Sequence, residues 1–126
     1  MPKEAIQTPA APAAIGPYSQ AVKVGPLLFC SGQICLDAAG NKVQGSVTKE
    51  TEQVMENLKA VVEAAGARMD QVVKTTVFMT DLADFKYMNT VYERYFTDVA
   101  PARSTVQVVK LPKDAKVEIE AIVVIN

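Results

Sequence analysis

The closing stretch, Val117 to Ile125, most constrains what this chain can fold into. Its odd positions (Val117, Ile119, Ala121, Val123, Ile125) are all apolar, and its even positions run Glu118, Glu120, Ile122, Val124. Strand side chains alternate between faces, so the second half of this segment is apolar on both. Such a strand belongs inside a sheet, covered on each side. Glu120 borders the apolar half, and two readings of it stay open. It is either a solvated edge carboxylate or an acid/base group tuned by partly dry surroundings.

The elements before it follow from turn signals and periodicity. Residues 1–14 form a Pro- and Ala-rich arm, expected to be poorly ordered at its tip. Ile15-Gly16-Pro17-Tyr18 reads as a turn into a strand at about Ser19 to Val24, and Gly25-Pro26 turns the chain back into Leu27 to Ser31 as a hairpin. Gly32 then suggests a bulge or a close backbone approach, with amides able to meet a ligand. Thr48 is the expected N-cap of a helix carrying Val54, Leu58, Val61, Val62 and Ala65 on one face, with Glu50 and Glu52 in its first turn and Gly66 ending it. Val72 to Thr80 reads as a strand with Val73, Thr75, Val77 and Met79 on one side. Asp84 is the expected cap of a second helix, whose Phe85, Met88, Val91, Tyr92, Tyr95 and Phe96 form a core-packing stripe.

Pro101 disfavours helical dihedrals for Ala100, so that helix ends and the chain leaves extended. Arg103 stands at the mouth of the strand that follows. The arginines are Arg68, Arg94 and Arg103, and only this one lies between a proline break and a run of β-formers. Its guanidinium is a rigid fork suited to a carboxylate. A rim arginine paired with a neighbouring Asp or Glu is the other reading. Leu111-Pro112-Lys113-Asp114 then turns the chain into the last strand.

Helices alternating with strands predict an α+β layer, a single mixed sheet with two helices packed on one face. The 126 residues are expected to make a single domain, 1–126. Val106, Val108, Val123 and Val124 cannot all lie beneath two helices, so self-association through the sheet is expected.

Composition narrows the chemistry. Thirteen basic and fourteen acidic residues give a formal charge of −1, without the basic block of a nucleic-acid binder. Histidine is absent, which removes Ser-His-Asp and Cys-His pairs and imidazole metal sites. Cys30 and Cys35, an odd spacing apart, point to opposite faces of a strand and read as reduced thiols of a cytoplasmic protein rather than a disulfide. No secretory or transit signal and no membrane span is visible.

Several motifs together carry a resemblance. Ile15-Gly16-Pro17-Tyr18-Ser19-Gln20-Ala21, Ser31-Gly32-Gln33, Val73-Lys74-Thr75-Thr76-Val77, Leu82-Ala83-Asp84-Phe85, Pro101-Ala102-Arg103-Ser104 and Val117-Glu118-Ile119-Glu120 resemble, in this order, the Rid/YjgF family, on the side of its RidA enamine/imine deaminases. The resemblance implies a chorismate-mutase-like fold, a homotrimer with clefts between subunits, and cofactor-free, metal-free hydrolysis of 2-imino acids, tautomers of 2-aminoacrylate-type enamines, to 2-ketoacids and ammonia. It implies that Arg103 holds the substrate carboxylate, that Tyr18, Ser31, the Gly32 amide and Asn89 line the cleft, and that Glu120 positions or activates water. Thr105 stands where the family often has cysteine, which disfavours a thiol nucleophile. A small-metabolite-binding regulatory module without turnover is the alternative. A ribonuclease or translation inhibitor, attached to relatives, is disfavoured by the low charge and missing histidine.

Overall fold

In the computed structural model, which describes residues 1–126, the strands are β1 (Glu4–Ile6), β2 (Ala21–Val24), β3 (Leu27–Gln33), β4 (Val72–Met79), β5 (Ala102–Gln107) and β6 (Val117–Val124). The helices are α1 (Val47–Ala64) and α2 (Phe85–Tyr92), with short 3-10 turns between elements. The strands form one mixed sheet in the order β1-β2-β3-β6-β4-β5. All pairs are antiparallel except β4 with β5, which α2 connects.

The last strand does lie inside the sheet, between β3 and β4. Val117, Ile119, Ala121 and Val123 are buried with Leu28, Val77 and Met79 of neighbouring strands, beneath Val54, Leu58, Met88 and Tyr92 of the helices. Burial of such side chains stabilises the fold by about 1.5–3 kcal/mol each and sets which sheet face meets the helices. A Schellman closure at Gly66 ends α1: Gly66 N–H donates to Glu63 O and Ala67 N–H to Val62 O, with Gly66 at φ 82°. No helix is long and apolar enough to cross a membrane.

The other sheet face carries no helix. Val22, Phe29 and Ile122 line up across β2, β3 and β6, with Phe29 43% and Val106 41% exposed. As expected, Val106, Val108, Val123 and Val124 do not all lie beneath the helices, and they divide among different surroundings. Val123 belongs to the helix-covered core, and Val108 packs against the small cluster of Cys35, Leu111 and Ala115.

Four local expectations are corrected or refined. The arm is ordered almost to its tip: Glu4–Ile6 already pairs with β2, and Ala11 is buried. Gln20 explains this. Its side-chain amide accepts from Thr8 N–H at 2.7 Å and donates to the carbonyls of Thr8 and Pro12 at 3.1 and 2.8 Å, fastening the arm from within. The α1 cap is Ser46, not Thr48: Gly45 at φ 141° turns the chain, and Ser46 Oγ accepts from Lys49 N–H. Glu50 lies in the first turn of α1 as expected and, being buried, also accepts from the Lys116 N–H at 2.8 Å, tying α1 to the start of β6. Asp84 does hold the N-cap position of α2, but its side chain makes no capping hydrogen bond; that bond is made one turn earlier by Asp81, which caps the 3-10 turn Leu82–Asp84 and accepts from Ala83 N–H at 2.9 Å. Finally, a bulge between Val72 and Lys74 puts Val72 in the core and leaves Val73 outside.

Candidate functional site

Strand register decides where each candidate side chain points. Arg103 pairs with Thr75 on β4, and Thr75 pairs with Ala121 on β6. Paired residues share a face, and both Thr75 and Ala121 are buried beneath the helices. Arg103 therefore projects on the helix side, at the open edge that β5 forms. Its Nη1 donates to Asn89 Oδ1 at 2.8 Å, and its guanidinium carbon lies 4.7 Å from the Tyr92 ring centre and 5.3 Å from that of Phe85. Stacking on aromatic faces fixes the plane of the fork. Tyr92 is held in turn by a 2.7 Å hydrogen bond to Thr75, and burial raises its hydroxyl pKa.

The rim-arginine reading of Arg103 is not what the structure contains. The ion pairs are Arg68–Asp70, Arg94–Glu52, Lys110–Asp114 and Lys116–Glu50, and Arg103 is in none of them. Its partner is a neutral amide oxygen, so most of the fork's donors remain available over a cleft of about 390 Å³ lined by Asn89, Tyr92, Glu93, Phe96 and Pro101. Thr105 is on the same side, paired with the buried Val77, and its Oγ1 is buried without a hydrogen-bond partner.

Glu120 lies elsewhere. It pairs with Thr76, which pairs with Ser104, so these three share the face away from the helices. There Glu120 lines a second cleft, of about 630 Å³, with Tyr18, Ser31, Gly32, Lys113 and Glu118. Ser31 Oγ donates to the Ser19 carbonyl at 2.6 Å. Gly32 sits where the β3–β6 register shifts, as its position between strand-like segments predicts. A Cβ there would stand 2.8 Å from Glu118 Cδ and 2.9 Å from Cγ, so any side chain at this position would push the Glu118 carboxyl aside. The Glu118 carboxyl pKa is raised by burial first and by the Glu120 charge second.

The residues singled out in the sequence thus fall into two groups. Asn89, Arg103 and Thr105 gather on the helix side of the β5 edge, whereas Tyr18, Ser31, Gly32 and Glu120 gather on the open face. Glu118 was missed. The alternation that placed Glu120 on a face placed Glu118 beside it, but nothing in the sequence marked which carboxylate was drier. The stacking of Tyr92 beneath Arg103 was also hidden, because a core aromatic and a cation platform have the same helical spacing.

The cysteines sit apart from both groups as free, buried thiols. Burial pushes Cys30 up to about 12, and burial with the neighbouring Glu50 pushes Cys35 up to about 11. No three His, Cys, Asp or Glu side chains are grouped to hold a metal ion.

The family model described as Endoribonuclease L-PSP matches residues 8–125. The chain belongs to this family. Among its L-PSP relatives, the 2-iminobutanoate/2-iminopropanoate deaminase of Salmonella typhimurium is 51% identical over 94% of this chain and 95% of its own. A Yersinia pestis protein of the conserved Rid family superposes with a TM-score of 0.96 at 44% identity, covering 98% of this chain and all of the other. Escherichia coli TdcF, solved with bound serine, superposes at 0.93 with 44% identity over 98% and 99% of the two chains. The Rid/YjgF resemblance of the sequence is therefore a family membership, and the single mixed sheet with two helices is the fold these L-PSP proteins share.

Proposed function

We propose that this protein hydrolyses 2-imino acids such as 2-iminopropanoate and 2-iminobutanoate to 2-ketoacids and ammonia, at sites assembled between the subunits of a homotrimer. The observation that carries the reading is an arginine fork without an ion pair, set on an aromatic platform at a sheet edge. A cleft containing Glu120 on the opposite face supplies the other half. The deaminase name of a relative 51% identical supports the activity, and serine bound in TdcF supports a small ligand bearing a carboxylate.

Arg103 holds the substrate carboxylate, with Asn89 orienting the fork and Thr105 offering a hydroxyl to the ligand. Charge-assisted hydrogen bonds contribute about 1.5–3 kcal/mol each, enough to select carboxylated imines over neutral ones. From the adjoining subunit, Tyr18, Ser31 and the Gly32 amide line the cleft and Glu120 positions water. An imine carbon is already electrophilic, so orientation and one carboxylate suffice for addition of water without a cofactor or metal. The exposed apolar face (Val22, Phe29, Ile122, Val124, Val106) supplies the driving force for association, at about 25 cal/mol per Å² buried.

Freshly generated 2-aminoacrylate tests the activity. Ketoacid release faster with the protein than without it is the expected result, and equal rates would reduce the chain to a metabolite-binding module. The family description favours one further reading, RNA cleavage. A formal charge of −1 and the absence of histidine argue against it, and intact RNA after prolonged incubation is the expected outcome.

A further inference from the structure

Glu118 and Glu120 stand two residues apart on one face of β6 and line the same cleft, but their settings differ. Glu120 is exposed, whereas Glu118 is half-buried, its carboxyl pressed into the space that any side chain at position 32 would occupy. Few charges face Glu118. Along its own segment these are Glu120 and Lys116, the latter drawn off to the Gly45 carbonyl at 2.9 Å and lying 4.0 Å from Glu50. Tyr18 and Lys113 line the cleft from the loop and the turn. Its β3 and β4 neighbours, Gly32 and Phe78, carry no charge. No hydrogen bond or ion pair compensates an ionised Glu118, so burial and then the neighbouring Glu120 charge favour its protonated form.

We propose that Glu118 is the proton donor of the deamination and Glu120 its paired proton acceptor. The inference rests on the imine-hydrolase reading above. Water oxygen bonds to the imine carbon as its proton passes to the Glu120 carboxylate, and the C=N π pair takes the proton of the Glu118 carboxyl. This leaves a carbinolamine. The C–N bond then breaks, nitrogen departs as ammonia with the proton held by Glu120, and the hydroxyl proton returns to Glu118. Both carboxyls end as they began. A lone carboxylate would have to take a proton from water and deliver one to nitrogen in the same step. The pair divides those tasks between a half-buried carboxyl and an exposed one, the usual arrangement where two carboxyls share a reaction.

The test combines titration and kinetics on the intact protein. With 13C-labelled glutamate, the Glu118 carboxyl should titrate above the ordinary glutamate range, and Glu120→Gln should lower its value. Glu118 titrating at or below the ordinary glutamate value would overturn the proposal whatever the activity. In turnover of 2-iminopropanoate, wild type should lose kcat as pH rises through the Glu118 titration. Glu118→Gln should be slower by about 100-fold, the lower range of general acid catalysis, and should lack that alkaline limb. Should Glu118→Gln disturb the fold by circular dichroism, Glu118→Asp should restore part of the rate together with the limb. An active wild type whose alkaline limb and rate are unchanged in Glu118→Gln would reject Glu118 alone. A wild type without turnover would remove the deaminase reading and this inference with it.

Discussion

Arg103 and Glu120 stand on opposite faces of the same sheet, two strands apart. The register Arg103–Thr75–Ala121 runs along the helix-covered side, and the register Ser104–Thr76–Glu120 runs along the open side. No side-chain rotation carries a guanidinium through a hydrogen-bonded sheet. On the reading proposed above, a site that uses both residues would draw them from different chains, with the open apolar face as the docking surface.

Arg103→Lys should be nearly as damaging as Arg103→Ala. An ammonium reproduces neither the planar fork nor its stacking on Tyr92 and Phe85. Both variants should lose kcat/KM for 2-iminopropanoate by about 100-fold or more, corresponding to two charge-assisted hydrogen bonds. Wild-type kcat/KM in the lysine variant would contradict the carboxylate clamp.

Glu120→Gln should bind a ketoacid product with near-wild-type affinity yet lose most of its kcat, because an amide cannot accept a proton from water. Calorimetry for binding and steady-state kinetics for turnover separate the two effects. An unchanged kcat would make Glu120 a structural residue.

Much of this was legible in the sequence, for physical reasons that also mark where legibility stops. The alternation in Val117–Val124 placed β6 inside the sheet because both halves of the pattern had to be covered. Pro101 located Arg103, since proline leaves the chain few ways to proceed. Caps were read less well. Thr48, Ser46, Asp84 and Asp81 are all competent capping residues, and choosing among them depends on where Gly45 and the Leu82–Asp84 turn bring the chain. The Val73 bulge likewise shifts a face by one residue, which periodicity alone cannot register. The division of the candidate site into two groups was invisible because it is a property of the sheet's register with its neighbours.

Glu118 should cost stability at neutral pH. Its folded pKa is raised, so the folded state binds more protons than the unfolded state above the ordinary glutamate value of about 4.3. Stability contributed at this position is thus greatest below that value and falls as pH rises through the raised one. Glu118→Gln should raise Tm at pH 7, and the gain should vanish by about pH 4. Thermal melts across this range check it, and a gain independent of pH would assign the effect to packing instead.

Thiol reagents should leave native activity intact. With Cys30 pushed up to about 12 and Cys35 to about 11, almost no thiolate exists at pH 8, and both side chains are buried. Modification should be slow in the folded protein, fast after unfolding, and without effect on turnover when both cysteines are replaced by serine. Prolonged treatment with EDTA should be equally harmless. Activity lost to either reagent under native conditions would contradict a thiol-free, metal-free site.

The most direct test of the account mixes two inactive proteins. Arg103→Ala keeps an intact Glu120, and Glu120→Gln keeps an intact Arg103. Co-refolded in equal amounts, with exchange verified by native mass spectrometry, they should recover about a quarter of wild-type turnover, the fraction of pairings that brings an intact Arg103 to an intact Glu120. Verified mixed assemblies no more active than their parents would contradict a site shared between chains.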